Sequence, residues 1–441
     1  MQLKTSRSVR AVVGIGVVML IAAACSKGGS STTGTTSGAT SGTTSGATSG
    51  TTSGATSGGG QIPAGITTDS FTLDIATTMA KFKALVAAAT KGANSLQIGV
   101  ILPDTTSSTR YVDFDAPYLK QAFTAAGYTS SQFKIDNAQG SDQTMLSDAT
   151  ADINQGAKVL IVDPIDGPTG VAVARLAASK GVQLIAYDRA IFQGTNTYYV
   201  SFDNEGVGEL MGQGFMDCVT SWGISNPKVF VLNGGEDTDP NAISFAEGYN
   251  KAVWGQEAKD VAAGATNDKG YTLVDENFAP GWDNTKGGTI FQQAFTANPD
   301  INATIEANDG LANSVITVLK SSGVKAKSVP TTGQDATAQG MAWILQDYQC
   351  GSVYKPPYLE PQVSVALGTI LLSGLTPPAA LVNGITVDPA NSSSKEPASL
   401  LKPIWVTKSN MEDTVVKDGV DSAKDICAIA GAQVCAANGI K

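Results

Sequence analysis

Along most of the chain, short runs rich in β-branched and aromatic residues alternate with longer stretches of helical period. Strands are expected at Leu96–Leu102, Gln132–Asp136, Lys158–Val162, Gln183–Tyr187, Tyr198–Phe202, Lys228–Leu232, Tyr271–Val274, Ala303–Glu306, Val329–Thr332 and Gly351–Tyr354. Helical patterns lie between them, among them Ala116–Ala126, Gln143–Asn154, Gly170–Ser179, Gly206–Val219, Asn284–Thr296 and Leu311–Ser321. The strand runs are apolar without clean alternation, as expected for strands covered on both faces. Regular βαβ alternation implies parallel sheets with right-handed crossovers. Ten such strands predict two sheets of about five. Boundaries fall near Ser201–Asn204 and at Tyr354–Pro357, and a later helix at Val363–Leu375 has to return to the first sheet. A chain that crosses between its halves more than once makes a cleft with a hinge beneath it.

In open α/β sheets, ligands sit beyond the carboxyl ends of the strands. Polar residues follow seven of the strand runs: Asp104, Asp188-Arg189, Asp203-Asn204, Asn233, Asn308-Asp309, Gln334-Asp335 and Lys355. Each alone reads equally as a turn or helix cap; their recurrence marks one face of the molecule.

The N-terminus has a different texture. Lys4, Arg7 and Arg10 precede a 14-residue apolar run, Ala11–Ala24, which is short for a membrane span and suited to a signal peptide. Ile21-Ala22-Ala23-Ala24-Cys25 resembles a bacterial lipobox, which implies cleavage before Cys25 and lipidation of its thiol. Residues 26–60 are almost wholly Ser, Thr, Gly and Ala, and an octapeptide runs three times from Gly34 to Ser57. That composition buries no core and reads as a flexible tether. The expected protein is extracytoplasmic and lipid-anchored to the cell membrane, on its outer face or in a periplasm.

Composition narrows the chemistry. The 441 residues carry a net charge of −10, which argues against a nucleic-acid partner. There is no histidine, so Ser-His-Asp and Cys-His catalysis and His-ligated zinc are excluded. The four cysteines of the body are even in number in an exported chain, which favours disulfides. Close spacing suggests that Cys427 pairs with Cys435, leaving Cys218 with Cys350.

Several longer stretches then match a known family. They include Ala186-Tyr187-Asp188-Arg189, Tyr199 to Glu209, Gly281-Trp282, Ala307-Asn308-Asp309, Gly333-Gln334-Asp335, Val353-Tyr354-Lys355-Pro356, Leu400-Leu401-Lys402-Pro403 and Asp413 to Gly419. In this order they resemble the D-xylose-binding proteins, among the ribose/galactose-type solute-binding proteins of bacterial ABC sugar importers. The resemblance implies an α/β fold of two Rossmann-like lobes with parallel sheets and a multi-strand hinge. It sets the first lobe at 96–203 plus about 357–398 and the second at 204–356 plus about 399–441. Residues 61–95 form an N-terminal extension with an amphipathic stretch, Ala76–Ala89, either capping the first lobe or continuing the tether.

Transferred residue by residue, the resemblance nominates Arg110, Asp188 and Arg189 from the first lobe and Asn241, Asn308 and Asp335 from the second. Lys355 falls at the hinge and Trp282 is a stacking platform. Tyr111 stands where the family usually has Trp, so the second stacking surface is smaller or its phenol makes an extra hydrogen bond. Asp, Asn, Arg and Lys together satisfy sugar hydroxyls, each of which donates and accepts, while aromatic rings cover the C–H faces. The expected partners are a monosaccharide, D-xylose or a related aldose, and an ABC permease with its ATPase. A monomer with no cofactor and no metal is expected; a sugar-sensing lipoprotein that signals to a membrane receptor or sensor kinase is the alternative.

Three competing signals fail. Gly206-x-Gly208-x-x-x-Gly212 departs from a dinucleotide fingerprint in spacing and follows acidic residues, so its glycines read as helix packing. Asp237-x-Asp239-x-Asn241 lacks the Gly and Glu of a calcium loop. Asp188 and Asp335 as a glycosidase pair would have neighbouring Arg189 and Lys355 holding them ionised, against the needs of a general acid. No enzyme is expected.

Overall fold

The structure, a computed structural model, describes residues 60–105, 110–194, 197–256 and 261–441. Cys25 and the tether repeats lie outside them. Two short helices open the described chain, α1 (Ile75–Ala80) and α2 (Lys83–Ala89). They are not part of the tether: Met79, Phe82, Leu85 and Val86 are buried in the main core.

The first lobe follows as β1 (Ile98–Leu102), α3 (Ala116–Ala126), β2 (Phe133–Asn137), α4 (Asp142–Gln155), β3 (Val159–Val162), α5 (Gly167–Ser179), β4 (Gln183–Tyr187) and β5 (Thr197–Phe202). The second holds α6 (Asn204–Ser221), β6 (Lys228–Gly234), α7 (Pro240–Trp254), β7 (Thr272–Ala279), α8 (Asn284–Ala297), β8 (Ala303–Glu306), α9 (Asp309–Ser321), α10 (Ala338–Leu345) and β9 (Ser352–Tyr354). The chain then returns through α11 (Leu359–Leu372), β10 (Gly384–Asp388) and β11 (Asn391–Leu401), and crosses again to β12 (Ile404–Val406), α12 (Ala423–Ala430) and α13 (Ala432–Ala437). Local chemistry marks the helix ends. Ser141, Asp166 and Asp203 accept the backbone N–H three residues on, and Gly127 and Gly156 close α3 and α4 in left-handed conformation.

The first sheet has seven strands in the order β10-β11-β5-β4-β3-β1-β2. β1–β5 and β11 run parallel, and β10 closes the edge antiparallel to β11. The expectation of about five strands missed the hairpin β10–β11, whose outer strand alternates and exposes Ile385 and Val387. β11 stays in register with β5 as far as Leu401 opposite Phe202. The last crossing therefore lies at Lys402-Pro403, not after residue 398. α11 is buried without interruption from Glu360 to Ile370, polar residues included, between sheet and outer helices.

Among the described residues of the second lobe, only β7-β6-β8 form a regular parallel sheet. No regular strand forms at Val329–Thr332. The segment instead bridges β8 and β9 irregularly. Thr304 N donates to Pro330 O at 2.9 Å, and Val353 N donates to Gly333 O at 2.9 Å. Where the ladder fails, side chains replace it: Thr332 N donates to Glu306 Oε2 at 3.0 Å and Glu306 N to Thr332 Oγ1 at 2.9 Å. β12 extends β9 antiparallel. The glycines of α6 serve close packing. A Cβ on Gly208 would lie 2.1 Å from Phe245 O of α7, and one on Gly212 would lie 2.8 Å from Ala252 Cβ.

Candidate functional site

Between the carboxyl ends of the two sheets lies a cavity with about 50 Å³ of water-accessible space, lined by Arg110, Tyr111, Asp188, Arg189, Asp239, Asn241, Phe245, Trp282, Asn308, Gln334, Asp335 and Lys355. All nine side chains nominated for the cleft stand on this wall; Asp239, Phe245 and Gln334 join them.

The first-lobe wall is an ion network. A π-helical turn, Tyr111–Asp115, runs into α3 and places Arg110 and Tyr111 toward the cavity with Asp115 beneath. Arg110 donates to Asp115 Oδ2 at 2.9 Å, to Glu360 Oε2 at 2.5 Å and to Asp188 Oδ1 at 3.3 Å. Tyr111 donates its hydroxyl to Asp188 Oδ2 at 2.9 Å, and the guanidinium carbons of Arg110 and Arg189 lie 5.8 and 5.6 Å from its ring centre. The phenol therefore makes the extra hydrogen bond, and its faces are held by cations. Arg189 donates to Asp163 Oδ1 at 3.4 Å and Pro164 O at 3.3 Å. Burial alone would raise Asp188, but Arg110, Lys355 and Arg189 outweigh it and hold the carboxyl at about 2. Burial instead pushes Glu360 up to about 7 and raises Asp115, in both cases against the pull of Arg110.

The second-lobe wall is set by helix starts. Asp239 caps α7, accepting from Asn241 N at 2.9 Å, and its other oxygen accepts from the Trp282 indole N–H at 2.9 Å. Trp282 is thus held edge-on to Phe245, their ring centres 6.4 Å apart at 76°. Gly234 at the end of β6 makes room for it, since a Cβ there would lie 1.9 Å from the indole ring. Asn308 caps α9 through Leu311 N at 2.9 Å. Lys355, 8% exposed, sits 3.8 Å from Asp335. Asn241 spans the lobes: its Nδ2 donates to Asp188 O at 3.2 Å and its Oδ1 accepts from Asn204 Nδ2 at 2.9 Å. Asp188, Trp282 and Asp335 all have positive φ, at 57°, 58° and 88°. Such backbone strain gathers where surrounding structure holds a ligand-facing geometry.

This chain matches the family described as the Periplasmic binding protein domain over residues 98–376, more than half its length. It is 32% identical over 295 residues to the D-xylose-binding periplasmic protein of Escherichia coli, covering 66% of this chain and 82% of that one. It is 31% identical over 329 residues to the multiple sugar-binding periplasmic protein SbpA of Azospirillum brasilense, covering 73% and 88%. The chain belongs to the periplasmic binding proteins. Within them it stands with the xylose- and ribose-type sugar-binding group, which are transport proteins and not enzymes. A solute-binding protein of Chloroflexus aurantiacus solved with D-glucose superposes with TM-score 0.61 at 25% identity, covering 75% of this chain and 98% of that one. The fold is that of type I periplasmic binding proteins.

Other strand-end residues of the binding protein serve the scaffold. Asp203 caps α6 through Gly206 N at 3.2 Å. Asn233 is fully buried and donates to Glu276 Oε1 at 2.7 Å, away from the cavity. Asp309 lies beneath the wall and accepts from Thr337 N, Gln349 Nε2 and Ser352 Oγ at 2.7–2.8 Å. Sequence reasoning missed Phe245, which reads as an ordinary core position of a helix, and Asp239, considered as part of a failed calcium loop. The supports Asp115 and Glu360 carried no strand-end signal, and Asp163, directly after β3, carried one that went unused. The cysteines form two disulfides, Cys218–Cys350 and Cys427–Cys435. Among the described residues no cluster of His, Cys, Asp or Glu is arranged for a metal ion, and no helix is long and apolar enough to cross a membrane.

Proposed function

We propose that this protein captures D-xylose or a related aldose in the interlobe cavity and presents it, lobes closed, to an ABC permease with its ATPase. The observation that carries this reading is the composition of the cavity wall. Arg110, Asp188 and Arg189 come from one lobe, Trp282, Asn308 and Asp335 from the other, and Lys355 from the segment between them. A ligand touching both walls stabilises the closed form, because only that form offers all of its partners at once. Arg189, with five N–H donors, and Lys355, with three, retain donors beyond their protein contacts, and Asp335 supplies an anionic acceptor. Trp282 and Phe245 supply apolar surface for the C–H faces of a pyranose. The relatives named for D-xylose and for multiple sugars support an aldose.

We further propose that Cys25 is the lipid anchor and that the Ser-Thr-Gly tether holds the body at the outer face of a membrane or in a periplasm. The lipobox-like sequence supports this.

A thermal-shift panel of pentoses and hexoses on the body from Gln61 to Lys441 tests the ligand. A sugar at about 100 times its Kd stabilises by about 2.7 kcal/mol, a clear rise in Tm. The largest shift is expected with D-xylose. Silence across the panel would overturn the monosaccharide reading.

A further inference from the structure

Acceptors are scarce in this cavity. Both oxygens of Asp188 are engaged, by Arg110 and Tyr111, and both of Asp239, by α7 and Trp282. Asn308 Oδ1 caps α9, and Asn241 Oδ1 accepts from Asn204. A sugar brings several hydroxyl donors to a wall whose protein contacts already occupy most of its oxygens.

Asp335 keeps its carboxylate for the ligand, and Gln334 holds a second open acceptor. The Gln334 backbone is committed: its carbonyl accepts from Asp309 N at 3.0 Å, and the residue pairs with Val353 in a parallel bridge. The residue lines the cavity with Asn308, Asp335 and Lys355, although it is only 2% exposed. The amide nitrogen donates to Ala307 O at 3.4 Å, whereas Oε1 is buried with no hydrogen-bond partner among the described residues. A buried amide oxygen without a donor destabilises the protein that holds it. An apolar side chain of the same length fills that space without such an oxygen.

We propose that Gln334 is a specificity-determining residue whose Oε1 accepts a hydrogen bond from one ligand hydroxyl. The inference rests on the sugar-binding reading above and assigns one hydroxyl's partner within it. Bound sugar supplies the missing donor, so the orphaned oxygen makes the empty site less stable and the filled site selective. An analogue without that hydroxyl leaves the oxygen unpaired.

The test uses the mature protein, its Gln334→Met variant, D-xylose and the 2-, 3- and 4-deoxy analogues, by calorimetric titration with melting of the ligand-free proteins. Q334M is expected to melt at or above the parent temperature without sugar. It is expected to bind D-xylose about tenfold more weakly, as for loss of one hydrogen bond. One deoxy analogue, lacking the paired hydroxyl, is expected to bind parent and variant equally. Gln334→Glu keeps an acceptor oxygen and is expected to preserve discrimination against that analogue, which gives a second route should Q334M not fold. Unchanged D-xylose affinity in Q334M overturns the proposal, as does a lowered Tm with equal losses for every analogue. A parent that binds none of these sugars overturns the sugar reading itself, and the proposal falls with it.

Discussion

Asp335 shows how a single residue joins strain to recognition. It has φ of 88°, a backbone conformation that Asp and Asn tolerate better than most residues. Its carboxylate faces the cavity 3.8 Å from Lys355. Asp335→Asn keeps the shape and the left-handed turn while removing the charge. On the sugar-binding reading, affinity is expected to fall at least about tenfold, as for loss of a charged hydrogen bond, while Tm without ligand changes little. Titration with the sugar of largest thermal shift checks this; unaltered affinity would remove Asp335 from the site. The same scale explains Tyr111. Its hydroxyl satisfies one oxygen of Asp188, so replacing it with the larger indole would leave that oxygen for the ligand or for water.

Among the elements, the second lobe departs furthest from regularity, and a covalent tie crosses that region. Cys218 on α6 joins Cys350, just before β9, across 132 residues of chain. Closing so long a loop restricts the unfolded chain, with a typical stabilisation of roughly 2–5 kcal/mol. The double variant Cys218→Ser, Cys350→Ser is expected to lose an amount in that range in a denaturant titration. The shorter Cys427–Cys435 link closes only 8 residues and contributes less on the same argument. A double variant as stable as the parent would show that packing of α6 alone holds this edge.

The whole molecule carries several buried carboxyls outside ion pairs, and they set its response to pH. Burial pushes Glu306 and Glu396 up to about 8 and Asp309 up to about 7. In each case the folded protein keeps a proton that the unfolded chain releases above the ordinary carboxylate range. Folding is therefore favoured most at low pH, and stability declines as pH rises from about 4.5 toward 8. Asp188 runs the other way, but its contribution is lost only as pH falls from the ordinary range toward about 2. Melting temperature of the ligand-free protein is expected to fall between pH 5 and pH 8, and Glu306→Gln to flatten that slope. A Tm that rises over this interval would contradict the assignment. Asn241 adds a lobe-to-lobe clasp at this scale, since both ends of its amide are engaged and one reaches the Asp188 carbonyl across the cleft.

The α/β class, the alternation of strand and helix and the polar strand ends were legible in the chain itself, because burial on both faces and helix capping are local demands that leave a periodic trace. The cleft residues Asp188, Arg189, Asn308 and Asp335 could be found for the same reason: each follows an apolar strand-like run, although the run before Asp335 forms no regular strand. Arg110 was found through resemblance alone and carried no such signature. What the sequence could not show is how these groups are held. Asp115 and Glu360 lie far apart in the chain and meet only on Arg110, and Phe245 faces the cavity because Gly208 lets α7 close on α6. The irregular path at Val329–Thr332 was equally hidden, since its ladder is completed by the side chain of Glu306 rather than by a neighbouring strand. Partnerships of that kind depend on distances across the fold, and local pattern carries no record of them. The sequence determined which chemistry is present and on which edge of the sheets it sits; only the tertiary structure decided which oxygens are already engaged and that of Gln334 is open.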